Sequence, residues 1–243
     1  MNVLAIGNSF SQDATRYLHQ IATADGVTLH VANLYIGGCS LERHYRNMLS
    51  AERAYELQYN GQLTGFQVSL QEALLNRAWD VVTLQQASPY SMDPDSYFPY
   101  ITELYAYVKK CVPKAKILIH QTWAYEDGSD RLYNVAHFDT AAEMFAAVED
   151  AYAFAAQAIG ADGIIPSGKL FRNLLDNGIE KIHRDTYHAS LGLGRYALGL
   201  LWYRMLTGAS VADNTFCDFD APVTAEEMAL AKKLVDAFTP IAM

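Results

Sequence analysis

Ser9 lies in the pentapeptide GNSFS (residues 7–11), directly after a short apolar run at residues 3–6. A serine in the turn between a buried strand and a helix presents its hydroxyl at the carboxyl edge of the sheet. Its backbone N–H lies at the helix N-terminus, where developing negative charge is stabilised. Ser9 is therefore a candidate nucleophile for acyl transfer. The alternative is that Asn8, Ser9 and Ser11 only form the turn and cap the helix, as Ser and Asn commonly do.

A nucleophilic serine needs a general base, and the base needs an orienting group. Both residue types occur in the segment DTYH (residues 185–188), just before a predicted helix that begins near Gly192. The Asp-x-x-His spacing lets the Asp185 carboxylate reach the Nδ1–H group of His188, while Nε2 faces a hydroxyl. His188 is the candidate base and Asp185 its partner. A loop in which the two residues serve only as caps is the alternative.

Candidate donors to an oxyanion follow the second and third predicted strands. Gly37 and Gly38 can offer backbone N–H groups in a conformation where a Cβ atom would interfere, although a plain turn explains them equally. The side-chain amide of Gln85 or Gln86 could also point an N–H group at the oxyanion. The alternative is that the amide only forms hydrogen bonds that cap the end of the strand. We take Gly38, Gln85 and Gln86 as oxyanion candidates, with a slight preference for Gln85 over Gln86.

Three further residues are candidates for a substrate pocket. Asn8 neighbours the nucleophile, and Trp123 and Tyr125 follow the fourth predicted strand. Aromatic packing beneath a loop is the alternative for Trp123 and Tyr125. The seven histidines form neither a His-x-His nor a His-Glu-x-x-His pattern, so no metal or other cofactor is predicted.

Short apolar runs alternate with helix-length amphipathic stretches along the chain. The predicted strands span residues 3–6, 28–36, 80–84, 115–120 and 164–165. The predicted helices span residues 11–25, 41–55, 68–77, 97–111, 140–160, 169–175 and 192–206, and a last helix begins at residue 224. This alternation predicts one α/β domain over residues 1–243, a three-layer α/β/α sandwich around a five-stranded, mainly parallel sheet. We expect a variable insertion around residues 41–77, and a ligand at the carboxyl ends of the strands.

The composition excludes several classes of partner. The chain has 243 residues, with 27 Asp and Glu against 18 Lys and Arg, and a formal net charge of -9. We therefore expect neither nucleic acid nor an anionic membrane surface as a partner, because both are bound through basic patches. Three widely spaced cysteines do not suit a disulfide framework. The first residues, MNVLAIGNSF, lack the pattern of a signal peptide, so we expect a cytoplasmic protein unless a leader has been removed.

The combination of GNSFS, Gly38 after the second strand and DTYH before a C-terminal helix resembles the SGNH or GDSL-type hydrolases. Within them it resembles a bacterial branch with GNSFS, LQQ and RDxYH signatures. The resemblance covers residues 6–208. It implies a flavodoxin-like fold and an esterase without a metal, with Ser9 as nucleophile, His188 as general base and Asp185 as its partner. It also implies that the N–H groups of Ser9 and Gly38 are oxyanion donors.

The sequence departs from the pattern of that family in two places. Asn8 stands where the family has aspartate, and the family's Gly-x-Asn-Asp block after the central strand is absent. Gln85 or Gln86 stands where the family's asparagine donates to the oxyanion. A glutamine carries the same amide on a chain one methylene longer, and loss of one such donor would cost about 10²–10³ in rate.

From these residues we expect a serine esterase that cleaves a small ester through an acyl-enzyme. We favour an acetyl group on a carbohydrate or a similar polar alcohol, so the expected partner is a small-molecule or carbohydrate ester. The alternative is a non-catalytic protein on the same wound fold that binds a glycan, a nucleotide or a flavin. The lack of a Gly-x-Gly-x-x-Gly motif and of a Walker lysine disfavours a nucleotide.

Overall fold

A seven-stranded sheet forms the centre of the structure, a computed structural model that describes residues 1–243. Its strands are β1 (Asn2–Ile6), β2 (His30–Tyr35), β3 (Tyr55–Tyr59), β4 (Gln62–Val68), β5 (Val81–Leu84), β6 (Lys116–Gln121) and β7 (Gly163–Pro166). They lie in the order β4-β3-β2-β1-β5-β6-β7. Five strands, β2, β1, β5, β6 and β7, pair in parallel, whereas β3 pairs antiparallel with both β2 and β4.

Nine helices cover the sheet. They are α1 (Ser9–Thr15), α2 (Leu18–Ala24), α3 (Leu41–Ser50), α4 (Leu70–Leu75), α5 (Tyr100–Cys111), α6 (Ala141–Ile159), α7 (Ser167–Asp176), α8 (Leu193–Thr207) and α9 (Ala225–Asp236). The helix predicted over residues 11–25 is divided into α1 and α2. Thr140 and Thr224 accept hydrogen bonds from the backbone three residues later and begin α6 and α9, as the sequence predicts. None of the helices combines the length and the apolar character needed to cross a membrane.

The predicted α/β/α sandwich with a mainly parallel sheet is confirmed, but the sheet has seven strands rather than five. The two additional strands, β3 and β4, form a hairpin within residues 41–77, where the sequence predicts mainly helix. Asn60 and Gly61 form its turn with φ of 51° and 79°. An Asn-Gly pair adopts these positive angles readily and is a strong hairpin signal. That signal outweighs the helix pattern on either side of it.

The side chains of β1 alternate between two hydrophobic layers, as those of a strand covered on both faces do. Val3 and Ala5 belong to a cluster of 33 buried residues that includes side chains of α1, α2, α7, α8 and α9. Leu4 and Ile6 belong to a second cluster of 30 buried residues, with side chains of α3, α4, α5 and α6. The carboxyl ends of the central strands are thereby fixed from both sides, and the candidate residues lie at that edge.

Candidate active site

Ser9 is the first residue of α1, and the turn that precedes it is tightly built. Asn8 caps the helix, since its Oδ1 atom accepts a hydrogen bond of 3.0 Å from the N–H group of Phe10. Gly7 is required by close packing, because a Cβ atom there would lie 2.4 Å from the Oγ atom of Ser11. The Ser9 hydroxyl therefore leaves a rigid turn at the carboxyl end of β1.

The structure brings Ser9, His188 and Asp185 together in one hydrogen-bonded chain. The Oγ atom of Ser9 lies 2.8 Å from Nε2 of His188. The Nδ1 atom of the same imidazole lies 2.8 Å from Oδ2 of Asp185, whose Oδ1 atom accepts the His188 backbone N–H group at 2.9 Å. With Nδ1 protonated towards the carboxylate, Nε2 is free to accept the proton of the Ser9 hydroxyl.

Asp185 is held in its charged form by its partner. Partial burial by itself raises the pKa of this carboxyl, but the hydrogen bonds from the side chain and backbone of His188 outweigh it and lower the pKa below its usual value. The carboxylate is therefore present at neutral pH and can stabilise an imidazolium.

The loop that carries Asp185 and His188 is fastened to α1 through Asp13, a residue that sequence reasoning missed. The Asp13 side chain is fully buried and pairs with Arg184 at 2.9 Å and with Arg195 at 2.8 Å. Its Oδ2 atom also accepts the backbone N–H group of Ala189 at 3.2 Å. Burial raises the pKa of Asp13, and the two arginines oppose that rise. The only signal in the sequence is that Asp13 follows Ser9 by one helical turn.

A pocket of about 410 Å³ lies over the Ser9 hydroxyl. Only three of its 13 lining residues are hydrophobic. Gly38 lies in its wall with φ of 62°, a conformation that favours glycine, and its backbone N–H group has no acceptor in the protein. The N–H group of Ser9, at the first position of a helix, has no intrahelical acceptor either. Two backbone donors are therefore available to a ligand.

The structure does not support the prediction that a glutamine side chain donates to the oxyanion. Neither Gln85 nor Gln86 lines the pocket, and both are buried with their amides engaged. The Nε2 atom of Gln85 donates to Oδ1 of Asn8 at 2.7 Å. The Nε2 atom of Gln86 donates to Ser96, and the Oε1 atom of Gln86 accepts the backbone N–H group of Leu41 at 3.0 Å.

Gln85 instead belongs to a buried chain of side chains that ends at Asn8. Its Oε1 atom lies 2.8 Å from Nδ1 of His120, and Nε2 of that histidine lies 3.1 Å from the hydroxyl of Ser167. Burial lowers the pKa of His120 to about 3, so its imidazole is neutral. Because Oε1 can only accept, Nδ1 carries the proton and Nε2 accepts the Ser167 hydroxyl. The hydrogen bonds of this chain therefore all run in one direction. Ser167 donates to His120, which donates to Gln85. Gln85 in turn donates to Asn8.

Trp123 and Tyr125 lie behind the pocket wall rather than in it, which corrects their predicted position. Both are fully buried and neither lines the pocket. Trp123 stacks on Phe10, with ring centroids 4.2 Å apart, and donates its indole N–H group to the carbonyl of Tyr187. The Tyr125 hydroxyl donates to Oγ of Ser88 at 3.0 Å. The two aromatic side chains support lining residues, as the packing alternative predicts.

A larger pocket lies elsewhere in the protein. Its volume is about 710 Å³, it is formed by the β3–β4 hairpin and α4, and it shares no residue with the pocket over Ser9. No group of three or more His, Cys, Asp or Glu side chains is arranged to hold a metal ion.

Comparisons with known proteins show similarity in sequence and in fold. The family model described as Domain of unknown function (DUF4886) matches residues 2–237. The crystal structure of a DUF4886 family protein from Bacteroides uniformis is 33% identical in sequence and superposes with a TM-score of 0.88, over 97% of this chain and 93% of that one. No curated protein matches the sequence.

Two further solved structures have the same fold. A protein from Slackia heliotrinireducens, described as a candidate SGNH hydrolase, is 25% identical with a TM-score of 0.61, over 84% of this chain and 97% of that one. A GDSL-like lipase candidate from Parabacteroides merdae is 13% identical with a TM-score of 0.53, over 83% of this chain and 93% of that one. At that identity the second structure shows the likeness of fold alone.

Proposed function

We propose that this chain, which belongs to the DUF4886 family and to the SGNH/GDSL-type hydrolase superfamily, is a serine hydrolase that cleaves esters. The observation that carries the proposal is the hydrogen-bonded chain from Asp185 through His188 to Ser9, which ends in a pocket. A nucleophile, a base and an orienting carboxylate in this order are the components of acyl transfer by serine.

In the proposed reaction the Ser9 hydroxyl gives its proton to Nε2 of His188 as Oγ bonds to the ester carbonyl carbon. The tetrahedral intermediate then collapses, the bond to the alcohol oxygen breaks, and the leaving alcohol takes the proton from His188. Water repeats the sequence on the acyl-enzyme, with His188 first accepting and then returning a proton, and the acid leaves. Asp185 holds the tautomer and stabilises the imidazolium.

The oxyanion in this proposal is stabilised by backbone rather than by a side-chain amide. The N–H groups of Ser9 and Gly38 are the two donors, at the first turn of α1 and in the turn after β2. The hydroxyl of Ser88 lines the same pocket and, as it accepts from Tyr125, keeps its own proton for a ligand. We assign no oxyanion contact to Gln85 or Gln86.

The preferred substrate in this proposal has a short acyl group, such as acetyl, on a carbohydrate or a similar polar alcohol. A pocket for a long acyl chain would be lined predominantly by apolar side chains. The lining here is mostly polar, and its volume of about 410 Å³ suits a small ester.

Hydrolysis of p-nitrophenyl acetate tests the proposal. We expect wild-type protein to release p-nitrophenol, and Ser9→Ala to lower kcat by about 10⁴-fold or more, to the background rate. Ser50→Ala is the matched control, because Ser50 is an exposed serine at the end of α3 outside the pocket, and it should keep the wild-type rate. Equal rates for wild type and Ser9→Ala would refute the proposal. Binding of an acetylated glycan without turnover, by both proteins alike, would favour the non-catalytic alternative.

A further inference from the structure

Arg131 is a cation in the pocket over Ser9 that no carboxylate neutralises. It is partly exposed and lines the same pocket as Ser9 and His188. None of the ion pairs of the protein includes it. The other arginine of the lining, Arg184, is occupied by the buried carboxylate of Asp13. Arg131 is therefore the cation of this pocket that is left for a ligand.

The charged side chains that line this pocket are arginines, whereas the molecule carries a net negative charge. The chain carries 27 acidic and 18 basic side chains, yet the pocket lining contains two arginines and no aspartate or glutamate. Asp185, the carboxylate of the candidate triad, accepts hydrogen bonds from His188 and is not part of the lining. A negatively charged ligand would thus be attracted to this pocket and repelled by much of the remaining surface.

The guanidinium of Arg131 is positioned beside the reacting groups by stacking. It lies 3.8 Å from the centroid of the Tyr187 ring, and that ring lies 3.9 Å from the centroid of the His188 ring. Arg131 directly precedes a π-helical turn at Leu132–Ala136, a rare conformation that is frequent at functional sites. Stacking on a tyrosine face holds the guanidinium plane. A guanidinium has five N–H donors, so donors remain for a ligand besides the one directed at the Tyr125 hydroxyl.

We infer that this site selects esters that carry a carboxylate near the scissile bond, and that Arg131 binds that carboxylate. The inference rests on the proposed esterase function. A carboxylate fits better than a phosphate group, since one free guanidinium can bind a carboxylate through two parallel hydrogen bonds. A doubly charged phosphate would need a second unpaired cation, and Arg184 is not free.

Two pairs of esters that differ only in charge test this inference. In the first pair, para-acetoxybenzoate carries a carboxylate on the alcohol side, and para-acetoxybenzamide is its neutral counterpart. In the second pair, the mono-p-nitrophenyl ester of adipic acid carries a carboxylate on the acyl side, and its methyl-capped diester is the neutral counterpart. We expect wild-type kcat/KM to be about ten-fold or more higher for the charged member of at least one pair, as a charge-assisted hydrogen bond would give. Arg131→Gln should abolish that ratio, and Arg131→Lys should restore part of it.

The control variant is Arg46→Gln, which removes one positive charge from an exposed position on α3 outside the pocket and should keep the wild-type ratio. Equal kcat/KM within both pairs for the wild type, or an unchanged ratio in Arg131→Gln, would overturn the inference while leaving the esterase proposal intact.

Failure of the esterase proposal itself would appear differently, as no hydrolysis of any of the four esters above the Ser9→Ala rate. Calorimetry with benzoate and benzamide then still decides whether Arg131 binds a carboxylate. Binding of benzoate alone, lost in Arg131→Gln, supports that site, whereas no binding of benzoate refutes it.

Discussion

Asn8 connects the nucleophile turn to its surroundings through every polar atom of its side chain. Its Oδ1 atom accepts from Phe10 and from Gln85, and its Nδ2 atom donates to the carbonyl of Cys39 at 3.0 Å. Cys39 follows Gly38, so this last bond joins the turn of the nucleophile to the turn of a candidate oxyanion donor. An aspartate could not donate it. The asparagine at this position therefore has a physical role in relating Ser9 to Gly38.

At the residue scale we predict that Gln85→Met lowers kcat for p-nitrophenyl acetate more than it raises KM. The substitution leaves the Oδ1 atom of Asn8 without its side-chain donor and Nδ1 of His120 without its acceptor, which should cost about 1–3 kcal/mol in unfolding free energy. The turn that orients Ser9 would loosen, while the pocket surface would remain.

Gln86→Met is the matched control for this prediction. Gln86 is equally buried, but its amide binds Ser96 and Leu41 rather than the nucleophile turn. We expect a similar loss of stability with kcat near the wild-type value. The same loss of kcat in both variants would show that Gln85 has no specific positioning role.

The sequence was sufficient to predict that Ser9, His188 and Asp185 lie together, but not to orient the glutamines. Motif order and strand ends identify which residues reach the carboxyl edge. The direction of an amide at the end of β5 depends instead on distant partners, His120 on β6 for Gln85 and Leu41 on α3 for Gln86. No local sequence pattern indicates those partners. The sequence therefore could not show that the glutamine amides are engaged away from the oxyanion position.

At the scale of elements, the buried Asp13 carboxylate joins α1, the loop before His188 and α8. Arg184 lies in that loop, and Arg195 lies in the first turn of α8 and also pairs with Asp220 at 2.7 Å. The same helix that begins with Ser9 thus fixes the loop that carries its candidate base. A buried pair of this kind is costly to break, because the remaining charge is left uncompensated.

We predict that Asp13→Asn lowers the unfolding free energy by about 3–5 kcal/mol and also lowers kcat, because the loop over residues 184–189 loses its attachment to α1. Urea unfolding and ester hydrolysis measure the two effects. Asp220→Asn is the comparison, since Asp220 pairs with Arg16 and Arg195 nearer the surface and should cost less. A variant Asp13→Asn as stable and as active as the wild type would contradict this account of the loop.

Elements with strong local signals were predictable, and those decided by the tertiary structure were not. The parallel strands and the capped helices α6 and α9 follow from apolar runs and Thr-x-x-Glu patterns. The β3–β4 hairpin was missed because the apolar spacing around it also fits a helix, although Asn60-Gly61 marks its turn. The interruption of the helix between α1 and α2 has no comparable signal in the sequence.

At the scale of the whole molecule, the wound sheet brings Ser9 and His188 together over a separation of 179 positions. The same tight packing buries three histidines, His44, His120 and His183, and burial lowers their pKa values to about 3, about 3 and about 4. All three are therefore neutral in the folded protein, whereas unfolding returns each to the usual value of 6.5.

We therefore predict that stability falls as the pH drops from about 6.5 towards about 4, because the unfolded chain binds more protons than the folded one in that range. Each buried histidine should contribute roughly 2 kcal/mol of loss by about pH 5. The shift of the urea midpoint between about pH 7 and about pH 5 measures the total. His183→Gln should show a smaller shift than the wild type, and an equal shift would contradict the assignment.

Covalent labelling by a fluorophosphonate probe tests the proposal that Ser9 is an activated nucleophile. The probe reacts with serines that a general base activates, so it needs no knowledge of the substrate. We expect one labelled site in the wild type, assigned to Ser9 by mass spectrometry of the peptides, with no labelling in Ser9→Ala and strongly reduced labelling in His188→Ala. No labelling of the folded wild type, or equal labelling of wild type and Ser9→Ala, would contradict it.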